Sequence, residues 1–239
     1  MISFVCAYNK KNVLEEMLIK SLKKQNNKNY ELITVNSKEL GFKSASEALN
    51  YGFNNATGEY VVFVHQDIEF INNNSIDLIE TYCKALDFGI VGVAGATGKK
   101  KFKVASSVVM GEKRVHAGDR LNEIIPCYAI DECMMIVKKD KFKGFNNYGK
   151  TWHFYGVEYS HRCLKNNEKV LLLPINIYHA SDAKSLDESY FDTLYNYGKI
   201  NKDVKLIRTC CGYFKNNKFL YVYCVYRKIK LKLKRLFKL

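Results

Sequence analysis

The segment FVHQDIEF, residues 63–70, changes abruptly from apolar to polar side chains at His65-Gln66-Asp67. The residues just before it, YVVFV at 60–64, are typical of a strand that is buried on both faces. Imidazole, amide and carboxylate groups can hold a cation, accept a proton or hydrogen-bond a ligand. Their position directly after a buried strand predicts a ligand-binding edge of a sheet, and we interpret this edge as a metal site.

The first part of the chain alternates between strand-like and helix-like patterns. Apolar runs predict strands at 2–8 (ISFVCAY), 30–36 (YELITVN), 59–65 (EYVVFVH) and 88–95 (FGIVGVAG). Between them, Asn12 with Glu15 and Ser44 with Glu47 resemble helix-capping pairs, and residues 76–86 carry a third apolar stripe. This alternation predicts parallel strands joined by right-handed crossovers.

Three of these predicted strands end on polar residues. The ends are Tyr8-Asn9, Asn36-Ser37 and His65-Gln66-Asp67. Ligands of open α/β sheets collect beyond the carboxyl ends of parallel strands, so these side chains are expected to line one cleft. Neither G-x-G-x-x-G nor G-x-x-x-x-G-K-[ST] follows the first strand, which argues against a dinucleotide-binding or P-loop protein.

The second half of the chain is less regular. Strands are predicted at 104–110, 129–137 and 169–179, and a helix is predicted to begin between Tyr155 and Glu158. The acidic pair Asp131-Glu132 interrupts the second of these strands, and a buried charge at that place requires a partner or a function.

The composition indicates one sizeable α/β domain in a reducing compartment. The chain has 239 residues and two prolines, and no linker or repeat divides it. Its eight cysteines include no C-x-x-C pair and lie mostly in apolar runs, where a thiol behaves as a small hydrophobe. We therefore expect free thiols and a cytoplasmic location.

Segment 44–67, SASEALNYGFNNATGEYVVFVHQD, resembles the nucleotide-sugar half of family-2 glycosyltransferases with the GT-A fold. More narrowly, it is similar to a prokaryotic branch that has H-Q-D in place of the D-x-D metal motif. Four later segments have a similar order in that branch: IDECMMIVKKDKF, GFNN, WHFYGVEYSHRC and LLLPINIYHAS. The resemblance implies a GT-A domain over residues 1–205, with a Rossmann-like, mostly parallel mixed sheet flanked by helices. Residues 206–239 would form an apolar and basic C-terminal extension.

The resemblance also implies a site that binds a nucleoside-diphosphate sugar and a divalent cation, Mn²⁺ or Mg²⁺. Asp67 and His179 would hold the cation, and His65 replaces the first aspartate of the motif. The other residues expected at the nucleotide are Ala7, Tyr8, Asn9, Asn36, Ser37, Asn50 and Gln66. Those expected at the sugar or the acceptor are Trp152, His153 and Tyr155, whose rings can stack on a pyranose.

Two carboxylates are candidates for the general base of the transfer. Glu158 lies where the relatives carry their catalytic acidic residue, and Asp131 lies where they approach the sugar or the acceptor. A carboxylate suits the role if apolar surroundings raise its pKa towards neutrality. The sequence favours Glu158 and leaves Asp131 open. A direct displacement with inversion is implied by the resemblance alone.

The C-terminal segment concentrates the positive charge. Seven Lys or Arg and no acidic residue lie in residues 227–239, within a chain of net charge +14. On a helix, Ile229, Leu233, Leu236 and Phe237 share a face that lysines flank, a pattern typical of a helix on an anionic membrane surface. The segment is too short and too charged to span a bilayer. We therefore expect a peripheral protein at the inner face of the membrane.

The sequence thus predicts a glycosyltransferase that acts on a glycan or lipid-linked acceptor, with UDP or GDP as the donor nucleotide, in cell-surface polysaccharide assembly. A non-catalytic protein that binds nucleotide sugars or glycans on the same fold is the alternative, since the first aspartate of the motif is missing. A basic nucleic-acid-binding module is a third possibility, but the chain contains no recognised nucleic-acid motif beyond its charge, and no nucleic acid is expected as a partner.

Overall fold

A computed structural model of the chain describes residues 1–181 and 186–236. Within these residues the helical segments are α1 (Lys11–Leu14), a π-helical turn (Glu15–Ile19), α2 (Lys20–Lys23), α3 (Ala45–Asn54), α4 (Ser75–Ala85), α5 (Tyr155–Lys165), α6 (Glu188–Ile200) and α7 (Leu220–Leu236). The strands are β1 (Ile2–Tyr8), β2 (Tyr30–Asn36), β3 (Tyr60–Val64), β4 (Ile68–Phe70), β5 (Ile90–Gly92), β6 (Ala94–Ala96), β7 (Val104–Ser106), β8 (Val108–Met110), β9 (Val115–His116), β10 (Asp119–Arg120), β11 (Ile125–Pro126), β12 (Ala129–Ile130), β13 (Met134–Lys138), β14 (Val170–Leu172), β15 (Ile177–His179), β16 (Leu206–Thr209) and β17 (Gly212–Lys215).

The largest sheet of the described residues has seven strands in the order β11-β14-β5-β13-β3-β1-β2. Strand β1 pairs in parallel with β2 and with β3, as predicted, and β5 pairs in parallel with β14. Strand β13 runs antiparallel to both β3 and β5, and β11 runs antiparallel to β14. The prediction of an α/β fold with a mixed sheet is confirmed, although antiparallel pairs are as common in this sheet as parallel ones.

Alternating side chains of the central strands point into two apolar cores, one on each face of the sheet. Phe4 and Val62 lie in one core, which helices α1, α2 and α4 cover. Val5, Val61 and Phe63 lie in the other core, which helices α3 and α5 cover. This two-sided burial is why β1 and β3 read as continuous apolar runs.

One of the two predicted helix caps is present. The Ser44 side chain accepts a hydrogen bond from the Glu47 backbone N–H at 3.2 Å and begins α3, as predicted. Asn12 lies inside α1, whose N-cap residue is Lys10, so the prediction that Asn12 begins this helix is wrong.

Each long apolar run of the second half forms two short strands instead of one. Residues 129–137 divide into β12 and β13, and residues 169–179 divide into β14 and β15. Pro174 lies in the second break, where its missing N–H prevents continuous strand pairing. The two halves of each run belong to different sheets: β15 joins the four-stranded sheet β4-β15-β8-β9, and β12 joins the sheet β10-β7-β6-β12.

The C-terminal segment packs against the preceding residues. The hairpin of β16 and β17 and the start of α7 share an apolar cluster with α6 and with the first turn of α5. Phe154, Phe191, Ile207 and Leu220 are buried members of this cluster, so residues on both sides of the predicted boundary at 205 contribute to it. Phe237 and the other residues of 237–239 lie outside the described residues. No helix in the described part of the chain is long and apolar enough to span a bilayer.

Candidate active site

The carboxyl ends of β1 and β3 are joined by the side chain of Gln66. Its Oε1 accepts hydrogen bonds from the backbone N–H groups of Asn9 and Lys10, at 3.2 and 3.0 Å. Its Nε2 donates to Asn9 Oδ1 at 3.0 Å. On the other side of β1, Ser37 Oγ at the end of β2 donates to the Tyr8 carbonyl at 3.0 Å. The polar ends of the three parallel strands therefore form one edge, as the sequence predicts.

Strand β15 brings a histidine to this edge from a distant part of the chain. It pairs antiparallel with β4, which follows His65-Gln66-Asp67, and the Ala180 N–H donates to the Asp67 carbonyl at 3.0 Å. As a result, His179 Nε2 lies 3.3 Å from Asp67 Oδ1 and 3.5 Å from His65 Nδ1. The possible ligand atoms of these three residues all lie within 4.8 Å of one another.

The protonation states of His65 and Asp67 suit cation binding. Burial, together with the neighbouring His179, lowers the pKa of His65 to about 4, so His65 is neutral at pH 7. Burial acts to raise the pKa of Asp67, but the hydrogen bond and the charge of His179 outweigh it and keep the pKa below its ordinary value. Neutral imidazole and ionised carboxylate are the forms that bind metals. The donor set therefore fits a divalent cation that accepts nitrogen and oxygen ligands, such as Mn²⁺.

Tyr155 contacts His65 and fixes the orientation of its ring. Its hydroxyl lies 3.2 Å from His65 Nε2, and burial raises its pKa well above the ordinary value, so the hydroxyl stays protonated. A partner on one ring nitrogen fixes the orientation of a histidine and decides which nitrogen is left to bind a metal. The Tyr155 hydroxyl can donate to the Glu132 carbonyl at 3.5 Å and so accept a hydrogen bond from His65 Nε2–H. This tautomer leaves the lone pair of His65 Nδ1 facing the cluster.

The cluster lies in a cleft of about 700 Å³, a volume within the range of small-molecule sites. Most of the predicted site residues line this cleft: Ala7, Tyr8, Asn9, Ser37, His65, Gln66, Asp67, Asp131, Trp152, His153, Tyr155 and His179. The structure thus brings together residues from both halves of the chain. Three predicted residues, Asn36, Asn50 and Glu158, do not line it.

The two asparagines bind neighbouring backbone or side-chain groups instead. Asn36 accepts a hydrogen bond from the Glu39 N–H and donates to the Glu39 carboxylate, as a turn residue does. Asn50 Oδ1 accepts a hydrogen bond from the Phe145 N–H at 2.8 Å, and Asn50 Nδ2 donates to the Phe145 carbonyl at 2.9 Å. These contacts give no support to a nucleotide-binding role for either residue.

Glu158 is buried beside the cleft instead of facing it. Its Oε1 accepts a hydrogen bond from Asn146 Nδ2 at 2.8 Å, and its Oε2 lies 3.4 Å from Arg162 Nη2. Burial raises its pKa, while Arg162 and Asn146 act in the opposite direction. A general base must reach the proton that it removes, so this placement gives no support to the predicted role of Glu158.

The acidic pair Asp131-Glu132 does line the cleft. Asp131 Oδ1 accepts from the Cys133 N–H at 3.1 Å, and the Cys133 carbonyl in turn accepts from the His65 N–H at 3.1 Å. Glu132 Oε1 accepts from the N–H of Phe154, the left-handed residue that begins α5, at 2.9 Å. Burial raises the pKa of Glu132 to about 8, and the charge of Asp131 contributes to this shift.

Residues 3–193 match the model of a protein family described as a glycosyltransferase-like family. The chain belongs to this glycosyltransferase-like family. A curated protein of Fuscovulum blasticum, "ATP synthase subunits region ORF 6", is 27% identical over 109 residues, which cover 42% of this chain and 43% of that protein.

Solved glycosyltransferases share the fold of this family member at low sequence identity. The crystal structure of GalNAc-T7 with UDP, GalNAc and Mn²⁺ matches 84% of the chain at a TM-score of 0.60 and 13% identity. Staphylococcus aureus TarS (residues 1–349) matches 83% at 0.54 and 15% identity. The mannosyltransferase PcManGT of Pyrobaculum calidifontis, in complex with GDP-Man and Mn²⁺, matches 85% at 0.52 and 14% identity. The matches cover 47%, 64% and 65% of those chains, so this chain spans less than two thirds of their length. The predicted GT-A fold is confirmed.

Several residues of the cleft in this glycosyltransferase-like protein were not predicted from the sequence: Phe102, Asp187, Tyr190, Cys210 and Cys211. Asp187 is the N-cap of α6, whose apolar spacing over 190–197 is visible in the sequence and could have indicated a helix. The two cysteines lie in the turn between β16 and β17, and no local pattern connects that turn with the cleft.

Glu132 makes the stability of the chain depend on pH. Its ordinary pKa of 4.5 rises to about 8 on folding, so the folded state holds an extra proton between these values and the free energy of unfolding falls as pH rises through them. Glu132→Gln removes this group. We expect the variant to gain stability relative to the wild type from pH 5 to pH 9, each unit of pKa difference contributing about 1.4 kcal/mol.

Urea unfolding in EDTA at pH 5, 7 and 9 measures this effect. Glu123→Gln, at an exposed glutamate, is the control, and its stability difference from the wild type should not change with pH. If the Glu132→Gln and wild-type stabilities change in parallel with pH, Glu132 does not bind its proton more tightly in the folded chain.

Proposed function

We propose that this chain transfers a sugar from a UDP- or GDP-type donor to a glycan or lipid-linked acceptor in cell-surface polysaccharide assembly. The observation that carries the proposal is the cluster of His65, Asp67 and His179 inside a cleft at the ends of β1, β2 and β3. Two solved structures with the same fold contain Mn²⁺, one with UDP and GalNAc and one with GDP-Man, which supports a nucleotide-sugar site here.

Asp67 and His179 would hold the divalent cation, and His65 would stand where a D-x-D motif has its first aspartate. When bound, the cation would neutralise charge on the leaving diphosphate. Imidazole ligands favour Mn²⁺ over Mg²⁺, which prefers oxygen ligands. On the side of β1 and β2, Ala7, Tyr8, Asn9 and Ser37 would contact the base and the ribose.

Asp131 is the carboxylate that we propose as general base. It lines the cleft. Two residues later, the Cys133 carbonyl accepts a hydrogen bond from the His65 N–H, which keeps this segment next to the cation cluster. Asp131 would take the proton of the acceptor hydroxyl while the acceptor oxygen bonds to the anomeric carbon and the bond to the diphosphate breaks. This single displacement inverts the anomeric centre.

Trp152 and His153 are proposed as the wall against the sugar or the acceptor. The Trp152 side chain is 43% exposed where it lines the cleft, so its ring is open to a pyranose face. Tyr155 is buried with its hydroxyl on His65 and is therefore a positioning residue.

The first prediction of this proposal concerns donor binding. Mn²⁺ together with UDP or GDP should raise the melting temperature of the chain by about 5–10 °C at a ligand concentration near 100 times Kd. Asp67→Ala should abolish the shift because it removes the only carboxylate of the cluster. Asp77→Ala, on the exposed side of α4, is the control and should keep it. A shift of equal size in Asp67→Ala would place the cation elsewhere.

A second prediction separates the two candidate bases. Asp131→Asn should keep the melting shift with Mn²⁺ and nucleotide but slow the release of nucleoside diphosphate from the donor by about 10²–10⁴-fold. Glu158→Gln should release it within severalfold of the wild-type rate. The opposite pattern would make Glu158 the base. Donor binding without any turnover in the wild type would favour the alternative, a non-catalytic nucleotide-sugar-binding protein.

We further propose that α7 places the protein at the inner face of the membrane. One side of α7 docks on α6, with Lys228 on Asp192 and Arg235 on Glu188. The opposite side carries an exposed apolar stripe at helical spacing, consisting of Val222, Tyr226, Ile229, Leu233 and Leu236. Exposed Lys230, Lys232 and Lys234 flank or adjoin the stripe, and these charges favour an anionic bilayer over a second copy of this basic helix.

Vesicle binding tests this location. Lys230→Gln/Lys232→Gln/Lys234→Gln should weaken binding to vesicles with phosphatidylserine by about 100-fold, since each basic residue contributes about 1 kcal/mol at such a surface. Lys23→Gln/Lys24→Gln, which removes two exposed charges on α2 and its C-cap, far from α7 in the sequence, is the control. Equal binding of the wild type to neutral and anionic vesicles, or a dimer that forms through α7 without lipid, would contradict the proposal.

A further inference from the structure

The C-terminal hairpin forms one wall of the cleft. Cys210 and Cys211, in the turn between β16 and β17, line the same cleft as the cation cluster. This hairpin lies beyond residue 193, where the family match ends. The wall that it builds is therefore a feature of this chain outside the part that is shared with the family model.

The strand order places this wall opposite the proposed nucleotide side. Strands β1 and β2 lie on one side of β3, and β13, preceded by Asp131-Glu132, lies on the other. Strand β16 packs against β6 and β12, whose sheet adjoins the acidic pair. The cation cluster and Asp131 thus lie between the ends of β1 and β2 and the hairpin. The acceptor must approach the base from the side that the nucleotide does not occupy, which is the hairpin side.

The hairpin also fixes a basic loop, residues 97–103, of which Phe102 lines the cleft. Arg208 donates two hydrogen bonds to the Lys99 carbonyl, at 3.2 and 2.6 Å, and Tyr213 Oη donates to the Lys103 carbonyl at 3.2 Å. The Phe102 and Tyr213 rings meet edge to face, with centroids 5.5 Å apart. A side chain at Gly98 would clash with the Lys101 carbonyl, so the loop needs this glycine for its compact path.

The loop presents a high density of positive charge beside an aromatic ring. Lys99, Lys100, Lys101 and Lys103 are all exposed, and Phe102 lines the cleft while 56% exposed. Lys103 pairs with Asp119 at 3.2 Å. Within the described residues no carboxylate lies at ion-pair distance from the other three lysines. These three lysines do not themselves line the cleft, but they directly precede Phe102, which does. Three unpaired ammonium groups so close to the cleft either bind an anionic ligand that extends from it or remain solvated.

We propose that the acceptor carries a phosphate group, which Lys99, Lys100 and Lys101 bind while Phe102 contacts the adjoining sugar or alkyl chain. The inference rests on the proposed glycosyltransferase function and adds the chemical class of its acceptor. A terminal phosphate carries close to two negative charges and a phosphodiester carries one, and in both the free oxygens can accept hydrogen bonds from several ammonium groups. The phosphate belongs either to a lipid carrier or to a glycan with phosphate in its chain.

The experiment follows the fluorescence of Trp152, the single tryptophan, which lines the cleft. With Mn²⁺ and UDP or GDP at saturation to fill the donor side, the protein is titrated with decyl phosphate, with glycerol phosphate and with decyl glucoside as the neutral control. We expect decyl phosphate to bind at least tenfold more tightly than decyl glucoside. Glycerol phosphate of similar affinity would assign the phosphate to a glycan, and much weaker binding would assign it to a lipid.

The lysines are tested by Lys99→Gln/Lys100→Gln/Lys101→Gln. This variant should bind decyl phosphate about tenfold more weakly, the combined effect expected of three exposed charge contacts, and the difference should shrink at high salt. Lys23→Gln/Lys24→Gln should bind as the wild type does. Equal affinity for decyl phosphate and decyl glucoside, or an equal loss of nucleotide binding in the triple variant, would overturn the inference, the latter because the lysines would then serve the donor diphosphate.

The outcome is separable from that of the proposed function. If the wild type shows no melting shift with Mn²⁺ and nucleotide, the donor site fails, whatever the titration shows. If the shift is present and phosphate selectivity is absent, only the acceptor class is wrong.

Discussion

The site depends on the pairing of β15 with β4. Strand β4 begins directly after Asp67, so the antiparallel register that sets His179 opposite Ile68 also sets the imidazole beside the carboxylate. His65 and His179 are 114 residues apart in sequence, and this pairing brings their rings to contact. A register shift of one residue would turn His179 to the other face of the sheet. Folding and the geometry of the ligands are therefore coupled, and a bound cation would stabilise this small sheet together with the site.

The antiparallel direction of β13 has an equally large effect on the chemistry. In a parallel neighbour of β3, the residues before the strand would lie at the opposite edge of the sheet from His65. Because β13 runs the other way, its first residues lie at the carboxyl end of β3, with the His65 N–H donating to the Cys133 carbonyl. Asp131 and Glu132, which precede β13, therefore reach the cleft. The mixed sheet thus places two carboxylates at the edge that holds His65, whereas a wholly parallel sheet would place them at the opposite edge.

The features that the sequence predicted correctly are local or depend on parallel strand ends. Continuous apolar runs indicated β1, β2 and β3, and the polar residues that end them indicated the edge that holds His65 and Asp67. The direction of β13 was not predictable, because an apolar run does not show whether its strand pairs parallel or antiparallel with the neighbouring strands. The placement of Glu158 was not predictable either. The rotation of α5 turns Tyr155 to the cleft and Glu158 to Asn146, and packing rather than spacing sets that rotation. The wall from β16 and β17 arises from contacts between distant residues alone.

Glu132 and the cation cluster are linked through the start of α5. Glu132 holds the Phe154 N–H, and the next residue, Tyr155, places its hydroxyl on His65 Nε2. Phe154 adopts a left-handed conformation with φ of 78°, which is costly for a bulky residue, so the surrounding contacts must hold it. The Glu132 hydrogen bond is one of these contacts. A change of charge at Glu132 therefore acts on the backbone that positions Tyr155, and through Tyr155 on the ring that faces the cation. Glu132 and the cation cluster are thus connected by two hydrogen bonds and by the backbone of Phe154 and Tyr155 between them, so each constrains the other.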